Sequence, residues 1–373
     1  MTHTDNAPDM TATTSDAEAI SNLLFWYDKA GRHLPWRHRW PDLAPAYHVF
    51  LSELMLQQTT VPTVIPYFLR FTERWPTILD MAQSPTEEIT AAWAGLGYYA
   101  RARNMHKAAQ VIAFDLNGVF PDTEEGLLAL PGIGPYSAGA IRAFAFDQPS
   151  IVLDGNIERV LARYFGLKTP LPKLKTELKA RYPALIPPTR RSDFPQALMD
   201  LGGQICTPKK TACDLCPLSL SCVSAWSDEA LHLPVKAPKK AKPKRQGRAF
   251  VASWQAPDGE HYIALMRRPD KGLLGGMQAF PSTGWDKSLE LAPAYQAFFD
   301  EWAPVPAGTI QHVFTHFEAR LSVRTAHIIS EAKPELPMGL SWVAISDAAL
   351  PTLMAKVLKQ AVSAEKDPQN TLL

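Results

Sequence analysis

Residues 130–141 read "LPGIGPYSAGAI", a glycine-rich turn between two segments of helical character. Gly132 and Gly134 lack a Cβ atom, so they permit positive φ and a close approach of the backbone to another molecule. We expect a helix to begin near Ser137, where its free N–H groups and its dipole would form an anion site. The alternative is an ordinary corner between two packed helices. Either interpretation places the stretch in a helical domain.

Helical periodicity continues on both sides of this turn. Apolar residues recur at helical spacing in segments such as "AISNLLFWYDKA" (19–30) and "IERVLARYFG" (157–166). The breaks between such segments carry Gly, Pro, Asp or Asn, which are typical of helix ends. We therefore predict a helical domain over residues 17–234. Residues 1–16 are polar and lack the apolar segment of a signal peptide, so they are predicted to be a disordered tail.

A basic segment separates this domain from one of different character. Residues 235–248 carry seven basic residues, two prolines and no acid, so we predict an extended linker where a partner protein would dock. From residue 249 onward, the alternating and β-branched pattern of "AFVASWQA" and "EARLSVRTAHII" predicts strands, and helical segments lie between them. A second domain of α+β type is therefore expected over residues 249–365.

The totals for the whole chain are those of a globular protein of two or three domains. It has 373 residues, 46% hydrophobic content and a formal net charge of +1. No run approaches the roughly 18 apolar residues that span a bilayer. We expect a cytoplasmic monomer, associated with the nucleoid if it is bacterial. The net charge gives no sign of nucleic acid, but binding depends on where charge lies.

All four cysteines of the chain lie in one short segment. Cys206, Cys213, Cys216 and Cys222 form the pattern C-x6-C-x2-C-x5-C, which is metal-ligand spacing in a chain with no export signal. Zinc sites more typically use two separated C-x2-C pairs. Four thiolates in one loop can enclose an iron–sulfur cubane, so a [4Fe–4S] cluster is favoured over zinc or free thiols.

Two carboxyl groups stand in contrasting settings. In "SELMLQQTTV" (52–61), helical spacing surrounds Glu53 with apolar residues. It is either a glutamate at the edge of a core helix or a carboxyl group that burial keeps protonated. In "LDGNIERVLAR" (153–163), Asp154 or Asn156 caps an amphipathic helix, and Asp154 is a candidate second functional carboxylate.

Several of these features occur together, in one order along the chain. The chain resembles the helix–hairpin–helix DNA glycosylases with an iron–sulfur cluster, and among them the adenine DNA glycosylase (MutY) family, from about residue 20 to residue 345. The resemblance implies an all-α glycosylase domain with a [4Fe–4S] cluster and an α+β Nudix-like domain. It also implies duplex DNA as partner, and repair proteins as candidates for docking on the linker. The matching motifs are "LPWR", "SELMLQQT", "GLGYYARARN", "LPGIGPYSAGAI", "LDGNIERVLAR", "ALMDLGGQIC" and the four cysteines.

The resemblance assigns catalytic roles to four residues. Glu53 would donate a proton to adenine N7, which makes the base a better leaving group. Asp154, kept ionised by free N–H groups at a helix start, would stabilise the cationic sugar. Tyr136 would bind near this pair, and Asn156 would help to position water. The released base would be adenine opposite 8-oxoguanine or guanine.

The resemblance also identifies residues that bind DNA. Gln58 and Tyr98 would wedge into the base stack, because the target base must leave the duplex to be reached; a core aromatic is the alternative for Tyr98. Gln196 is suited to adenine, because an amide can pair with both N6 and N7. The other expected contacts are Arg32 and Trp36 in the base pocket, Leu56 and Gln57 beside the wedge, and Gly132 and Gly134 at a phosphate.

The second domain resembles the Nudix-related module of the family. A Nudix hydrolase holds magnesium with the box G-x5-E-x7-R-E-x2-E-E-x-G, but residues 272–302 contain no R-E-x2-E-E. We therefore predict binding without hydrolysis. Phe314, Thr315 and His316 replace the family's Phe-Ser-His loop and are expected to recognise 8-oxoguanine. An exposed loop histidine is the alternative for His316.

Two other functions are compatible with parts of this pattern. The endonuclease III branch shares the hairpin and cluster, but it carries a nucleophilic lysine two residues after the second hairpin glycine. Tyr136 occupies that position here, so no Schiff base and no strong strand cleavage are expected. A non-catalytic iron–sulfur sensor of DNA would require Glu53 and Asp154 to be structural.

Overall fold

The computed structural model describes residues 15–236, 241–269, 272–286 and 290–365. They belong to two compact units that divide between residues 238 and 239. Within the described residues, no helix has the length and apolar character needed to cross a membrane. The predicted tail falls outside the described residues except at its end, where Ser15 caps the first helix and Asp16 begins it.

The first unit is helical, as predicted. Apolar faces of its helices pack into one core, which supplies the burial that short helices need to be stable. A π-helical turn at Val111–Asp115 follows the sixth helix. The helices are α1 (Asp16–Ala30), α2 (Ala46–Leu56), α3 (Val61–Arg74), α4 (Ile78–Gln83), α5 (Thr86–Ala92), α6 (Ala100–Gln110), α7 (Glu124–Leu128), α8 (Pro135–Phe146), α9 (Gly155–Tyr164), α10 (Lys173–Arg181) and α11 (Asp193–Gln204).

Helix α2 lies deep in this core. It packs against α3 and α8, while α9 packs against α11. Its mean hydropathy is high and its buried residues run without interruption from Val49 to Met55, so the helix is apolar nearly all round. Glu53 is carried inside by this burial, because the helix has no polar face to hold it in water.

The glycine hairpin differs in one respect from the prediction. Gly132 has φ of 81°, and a Cβ there would lie 2.8 Å from the Cβ of Asn104, so a side chain is excluded on both counts. Gly134 is extended, with φ of −103°, and is the N-cap of α8, so of these two glycines Gly132 is the one that uses the positive φ that both permit. Helix α8 begins at Pro135, two residues earlier than expected, because proline needs no N–H partner in the first turn.

The second unit is one mixed sheet with a helix on each face. The strands run in the order β3-β2-β1-β6-β5, with β4 paired to β1 and β7 paired to β2. The elements are β1 (Lys244–Gln255), β2 (His261–Arg267), β3 (Gln278–Ala279), β4 (Ser282–Thr283), α12 (Pro293–Glu301), β5 (Val305–Val313), β6 (Glu318–Ile328), β7 (Leu340–Ala344) and α13 (Thr352–Glu365).

Strand β1 is buried on both faces. Ala249 and Val251 face the core that contains residues of α13, while Phe250 and Ala252 face the core that contains residues of α12. This alternation explains why the strand is a continuous apolar run in sequence, as is typical of a strand covered on both sides.

The predicted linker is partly wrong. Residues 244–248 are the beginning of β1 and pair in parallel with β6, from Lys244 opposite Glu318 onward. Backbone hydrogen bonds to β6 therefore make these residues a strand, although their basic composition is typical of a linker. At the other end, the carbonyl of Val235 accepts a hydrogen bond of 3.0 Å from the N–H of Leu171 within the first unit. Residues 237–240 of the linker lie outside the described residues.

Candidate active site

Glu53 is a buried carboxyl group with an altered pKa. The residue is 5% exposed, and burial raises its pKa from 4.5 to about 7. A hydrogen bond from the Tyr136 phenol and the charge of Arg37 lower this pKa, whereas the charge of Asp154 raises it. Burial is the largest of these effects. Near neutral pH the carboxyl group is thus divided between its two forms and can act as an acid.

Asp154 is the N-cap of α9. One carboxylate oxygen accepts hydrogen bonds from the backbone N–H groups of Asn156 and Ile157, at 3.0 and 2.7 Å. The other oxygen accepts a bond of 2.9 Å from the side-chain amide of Asn156. The helix start and the amide thus supply three donors to this carboxylate, which fix its position.

Both carboxyl groups line one cavity of about 300 Å³. This volume is at the lower end of the range of small-ligand sites. Its lining combines apolar side chains with many polar and charged ones. The predicted site residues that meet here are Arg32, Trp36, Glu53, Leu56, Gln57, Tyr136, Asp154, Asn156 and Gln196.

The two glutamines of the cavity are already partly hydrogen-bonded. Gln196 is 4% exposed, and its amide N–H donates to the carbonyl of Ser192 at 2.8 Å. An amide has two N–H donors and one acceptor oxygen, so this bond still leaves one N–H and the oxygen of Gln196 for a bound base. The amide of Gln57 donates to the hydroxyl of Ser137 at 3.3 Å, which joins α2 to the helix that follows the hairpin.

Two further residues of the site, Arg37 and Asp200, were not predicted. Asp200 is fully buried, and its carboxylate accepts hydrogen bonds from the side chains of Arg32 and Arg37, at 2.7 and 2.9 Å. It also accepts from the backbone N–H of Arg32 at 2.7 Å. Asp200 therefore fixes the segment that forms one wall of the cavity. The arginines and the aspartate stand in the "LPWR" region and in "ALMDLGGQIC", but nothing local in either motif indicates that they pair.

Gln58 and Tyr98 do not line this cavity. Each lies in an exposed turn and has a left-handed backbone, with φ of 60° and 49° respectively. Such values are uncommon for residues other than glycine, and they cluster where a fold holds a side chain for a purpose. Tyr98 is 55% exposed, so the alternative of a core aromatic is wrong.

The four cysteines surround a second, smaller cavity of the first unit. All four line it and are half-buried. Within the described ranges, no three His, Cys, Asp or Glu side chains converge as ligands of one ion would. Burial raises the pKa of Cys216 to about 12 and that of Cys222 to about 11. Cys216 and Cys222 would therefore become thiolates near neutral pH only on binding a cation.

Arg159 connects the cysteine segment with the larger cavity. Its guanidinium donates to the carbonyls of Cys206 and Gly202, at 2.8 and 2.6 Å, and to the side-chain oxygen of Asn156 at 2.9 Å. Asn156 in turn donates to Asp154. The side-chain amide of Asn156 is therefore held at both ends, which fixes its orientation.

The predicted lesion-reading loop lies in the second unit. Phe314 stacks on Phe317 at a centroid distance of 4.7 Å and on Trp285 at 5.9 Å. The N–H of Phe314 also donates to the carbonyl of Phe317 at 2.8 Å, which closes a tight turn. Thr315 and His316 at the tip of this turn are exposed.

Comparison with known proteins identifies relatives of both units. Residues 51–184 match the family described as HhH-GPD superfamily base excision DNA repair protein, and residues 251–360 match the NUDIX domain. The adenine DNA glycosylase of Homo sapiens is 34% identical over 91% of this chain and 73% of its own length. That of Mus musculus is 33% identical, over 91% and 77%. A thermostable thymine-DNA glycosylase structure is 28% identical, with a TM-score of 0.49 over 55% of this chain and 93% of its own.

Proposed function

The chain belongs to the adenine DNA glycosylase family, and from that premise we propose that its substrate is adenine opposite 8-oxoguanine, or opposite guanine, in duplex DNA. The relatives confirm the predicted family, the helix–hairpin–helix and Nudix-like folds, and an adenine-releasing hydrolase of base excision repair. The identity of the opposite base, the roles of individual residues and the cluster are proposals.

One observation carries the proposed chemistry: two carboxyl groups in one cavity have opposite environments. Burial raises the pKa of Glu53 to about 7, so near neutral pH part of the population keeps its proton. This proton would go to N7 of an adenine in the cavity. The bond between N9 of the base and C1′ of the sugar would then break, with the electron pair leaving on the base.

Asp154 would act on the sugar. Its carboxylate, fixed by two backbone N–H groups and by Asn156, lines the same cavity and would stabilise the positive charge that develops at C1′. Water would then add to C1′ and give a proton to the Glu53 carboxylate formed in the first step, which leaves an abasic site. Asn156 is oriented by Arg159 and would help to place that water. No amine nucleophile is needed, so the strand would stay intact.

Base extrusion would depend on the two exposed turns. Gln58 and Tyr98 have left-handed backbone conformations. The fold must hold such conformations in place, as it would for side chains that push into the base stack. The hairpin at Gly132 would approach a phosphate of the same strand, where the free N–H groups at the start of α8 favour negative charge.

The cysteine cavity would hold a [4Fe–4S] cluster. Cys206, Cys213, Cys216 and Cys222 would supply the four thiolates. The cluster would cross-link residues 206–222 into one rigid loop and thereby present Lys209 and Lys210, which are exposed, to the DNA backbone.

The second unit would read the opposite base. Phe314 is braced by two aromatic rings, which leaves Thr315 and His316 at the tip of the turn to donate and accept hydrogen bonds. The threonine hydroxyl retains the donor and acceptor that serine would offer.

The test is a panel of labelled duplexes with adenine opposite 8-oxoguanine, guanine or thymine, and with an oxidised pyrimidine. Half of each reaction is treated with alkali before gel analysis. The proposal predicts strand breaks only after alkali, for adenine opposite 8-oxoguanine and more slowly for adenine opposite guanine. Breaks without alkali at the pyrimidine lesion would instead indicate a bifunctional enzyme, and equal release opposite thymine would refute the proposed opposite base.

A further inference from the structure

Arg101, in the first turn of α6, connects two turns that are far apart in sequence. Its guanidinium donates to the carbonyls of Leu54 and Met55, at 2.9 and 3.1 Å, and to that of Gln57. The same group donates to the carbonyls of Leu96 and Gly97, at 3.0 and 3.3 Å. One side chain thus holds the end of α2 and the turn before α6.

These two turns carry the two left-handed residues Gln58 and Tyr98. Gln58 directly follows a carbonyl that Arg101 binds, and so does Tyr98. The guanidinium also lies 5.5 Å from the ring of Tyr98 and 5.3 Å from that of Trp93. The carbonyls at the end of α2 have no partner within the helix, so a cation is favoured there.

We infer that Arg101 is a positioning residue, which fixes the turn of Gln58 and the turn of Tyr98 at a set separation and so prepares both side chains to enter the base stack. A planar guanidinium can serve carbonyls on two sides at once, whereas an ammonium group acts as a point charge. The contacts of Arg101 are with backbone carbonyls, so it holds the shape of both turns whatever their side chains are. This inference rests on the proposed function, since it concerns how the target base is extruded from the duplex.

Arg101→Lys tests the inference because lysine keeps the positive charge but lacks the planar guanidinium that can donate to carbonyls on two sides. The control is Arg74→Lys, an exposed arginine that pairs with Glu88 and stacks on Trp75. Two quantities are measured with 8-oxoguanine opposite the target adenine. The first is the extrusion rate, from stopped-flow fluorescence of 2-aminopurine beside the target, and the second is the single-turnover rate of base release.

Base release is measured on a fully paired duplex and on one in which mismatches flank the target and loosen its stacking. Since unstacking a base takes a few kcal/mol, we expect Arg101→Lys to slow extrusion and release by about 10- to 100-fold on the paired duplex. On the loosened duplex the loss should fall below about 3-fold, because little stacking remains to be broken. Arg74→Lys should match wild type on both.

Equal losses on the two duplexes would overturn the inference, because they would indicate damage to the chemistry or to the fold. Wild-type extrusion by Arg101→Lys would overturn it as well. If Arg101→Lys does not fold, Gly97→Ala replaces it: Gly97 has φ of 69° and open space around a new Cβ, so the change strains only this turn. The same selective loss on the paired duplex is expected. Failure of the wild type to release adenine would count against the proposed function and not against this inference.

Discussion

The phenol of Tyr136 donates a hydrogen bond to the carboxyl group of Glu53. The bond favours the ionised form of Glu53 and so lowers its pKa, against the larger effect of burial. Burial and the nearby carboxyl groups raise the pKa of Tyr136 well above 10, so the phenol keeps its proton at neutral pH. The pair therefore acts as one unit, in which the tyrosine adjusts how readily the glutamate releases a proton.

The first prediction concerns the pH dependence of base release. Because the proposed acid has a pKa of about 7, the single-turnover rate should be highest below that pH and should fall above it. Tyr136→Phe removes the bond that lowers this pKa, so the alkaline limb should move to higher pH. Tyr67→Phe, which loses a hydroxyl bonded to Ala94, should leave the limb in place. A limb that moves to lower pH in Tyr136→Phe would contradict the assignment.

The second prediction concerns stability. The pKa of Glu53 is higher in the folded state than the 4.5 of the free group, so the folded state binds more protons and its stability falls as pH rises from about 4.5 to 7. Glu53→Gln removes the ionisable group. At pH 8 the variant should exceed wild type by on the order of 3 kcal/mol in unfolding free energy, whereas at pH 4.5 the two should be alike. Thermal denaturation at both pH values gives the comparison, and base release by the variant should be abolished.

The third prediction separates the two roles of Asp154. Asparagine is as good an N-cap as aspartate, so Asp154→Asn should change the unfolding free energy by less than about 1 kcal/mol. It removes the charge proposed to stabilise the sugar, so base release should fall by about 100-fold or more. Denaturant unfolding and single-turnover assays on the same preparation test both parts. A release rate near that of wild type would show that Asp154 serves only as the helix N-cap and has no role in base release.

Local features of the sequence predict local features of the structure. The apolar run around Glu53 predicts its burial, because the residues concerned are neighbours on one helix. The pairing of Arg37 with Asp200 spans 163 residues, and no periodicity reveals it. The contact between Arg101 and the carbonyl of Gln57, beside the left-handed Gln58, could not be predicted either, because the two residues lie 44 positions apart. Strand β5 was missed because a bulge between Pro306 and Gly308 interrupts its alternation.

The fourth prediction concerns the cysteine cavity. Purified protein should contain about four iron and four sulfide per chain, with broad visible absorbance. Cys213→Ser should lose most of this iron and lower the melting temperature, because residues 206–222 lose their cross-link. Leu220→Ala, which changes an exposed leucine of the same segment, is the control and should keep the iron. One zinc and no iron per chain would show that the cluster assignment is wrong.

The fifth prediction concerns the choice of opposite base. Phe314 is held between Trp285 and Phe317, so Phe314→Ala would free the turn that carries Thr315 and His316. The preference for adenine opposite 8-oxoguanine over adenine opposite guanine should then fall by about 10-fold, the effect of losing one good hydrogen-bonded contact. Release opposite guanine should change little, because the cavity that holds Glu53 and the second unit are separate parts of the chain.

Single-turnover rates on the two duplexes give the ratio, and Phe25→Ala, which changes an exposed phenylalanine of α1, is the control. An equal loss on both duplexes would mean that Phe314 supports the fold of the second unit and does not set the choice of base.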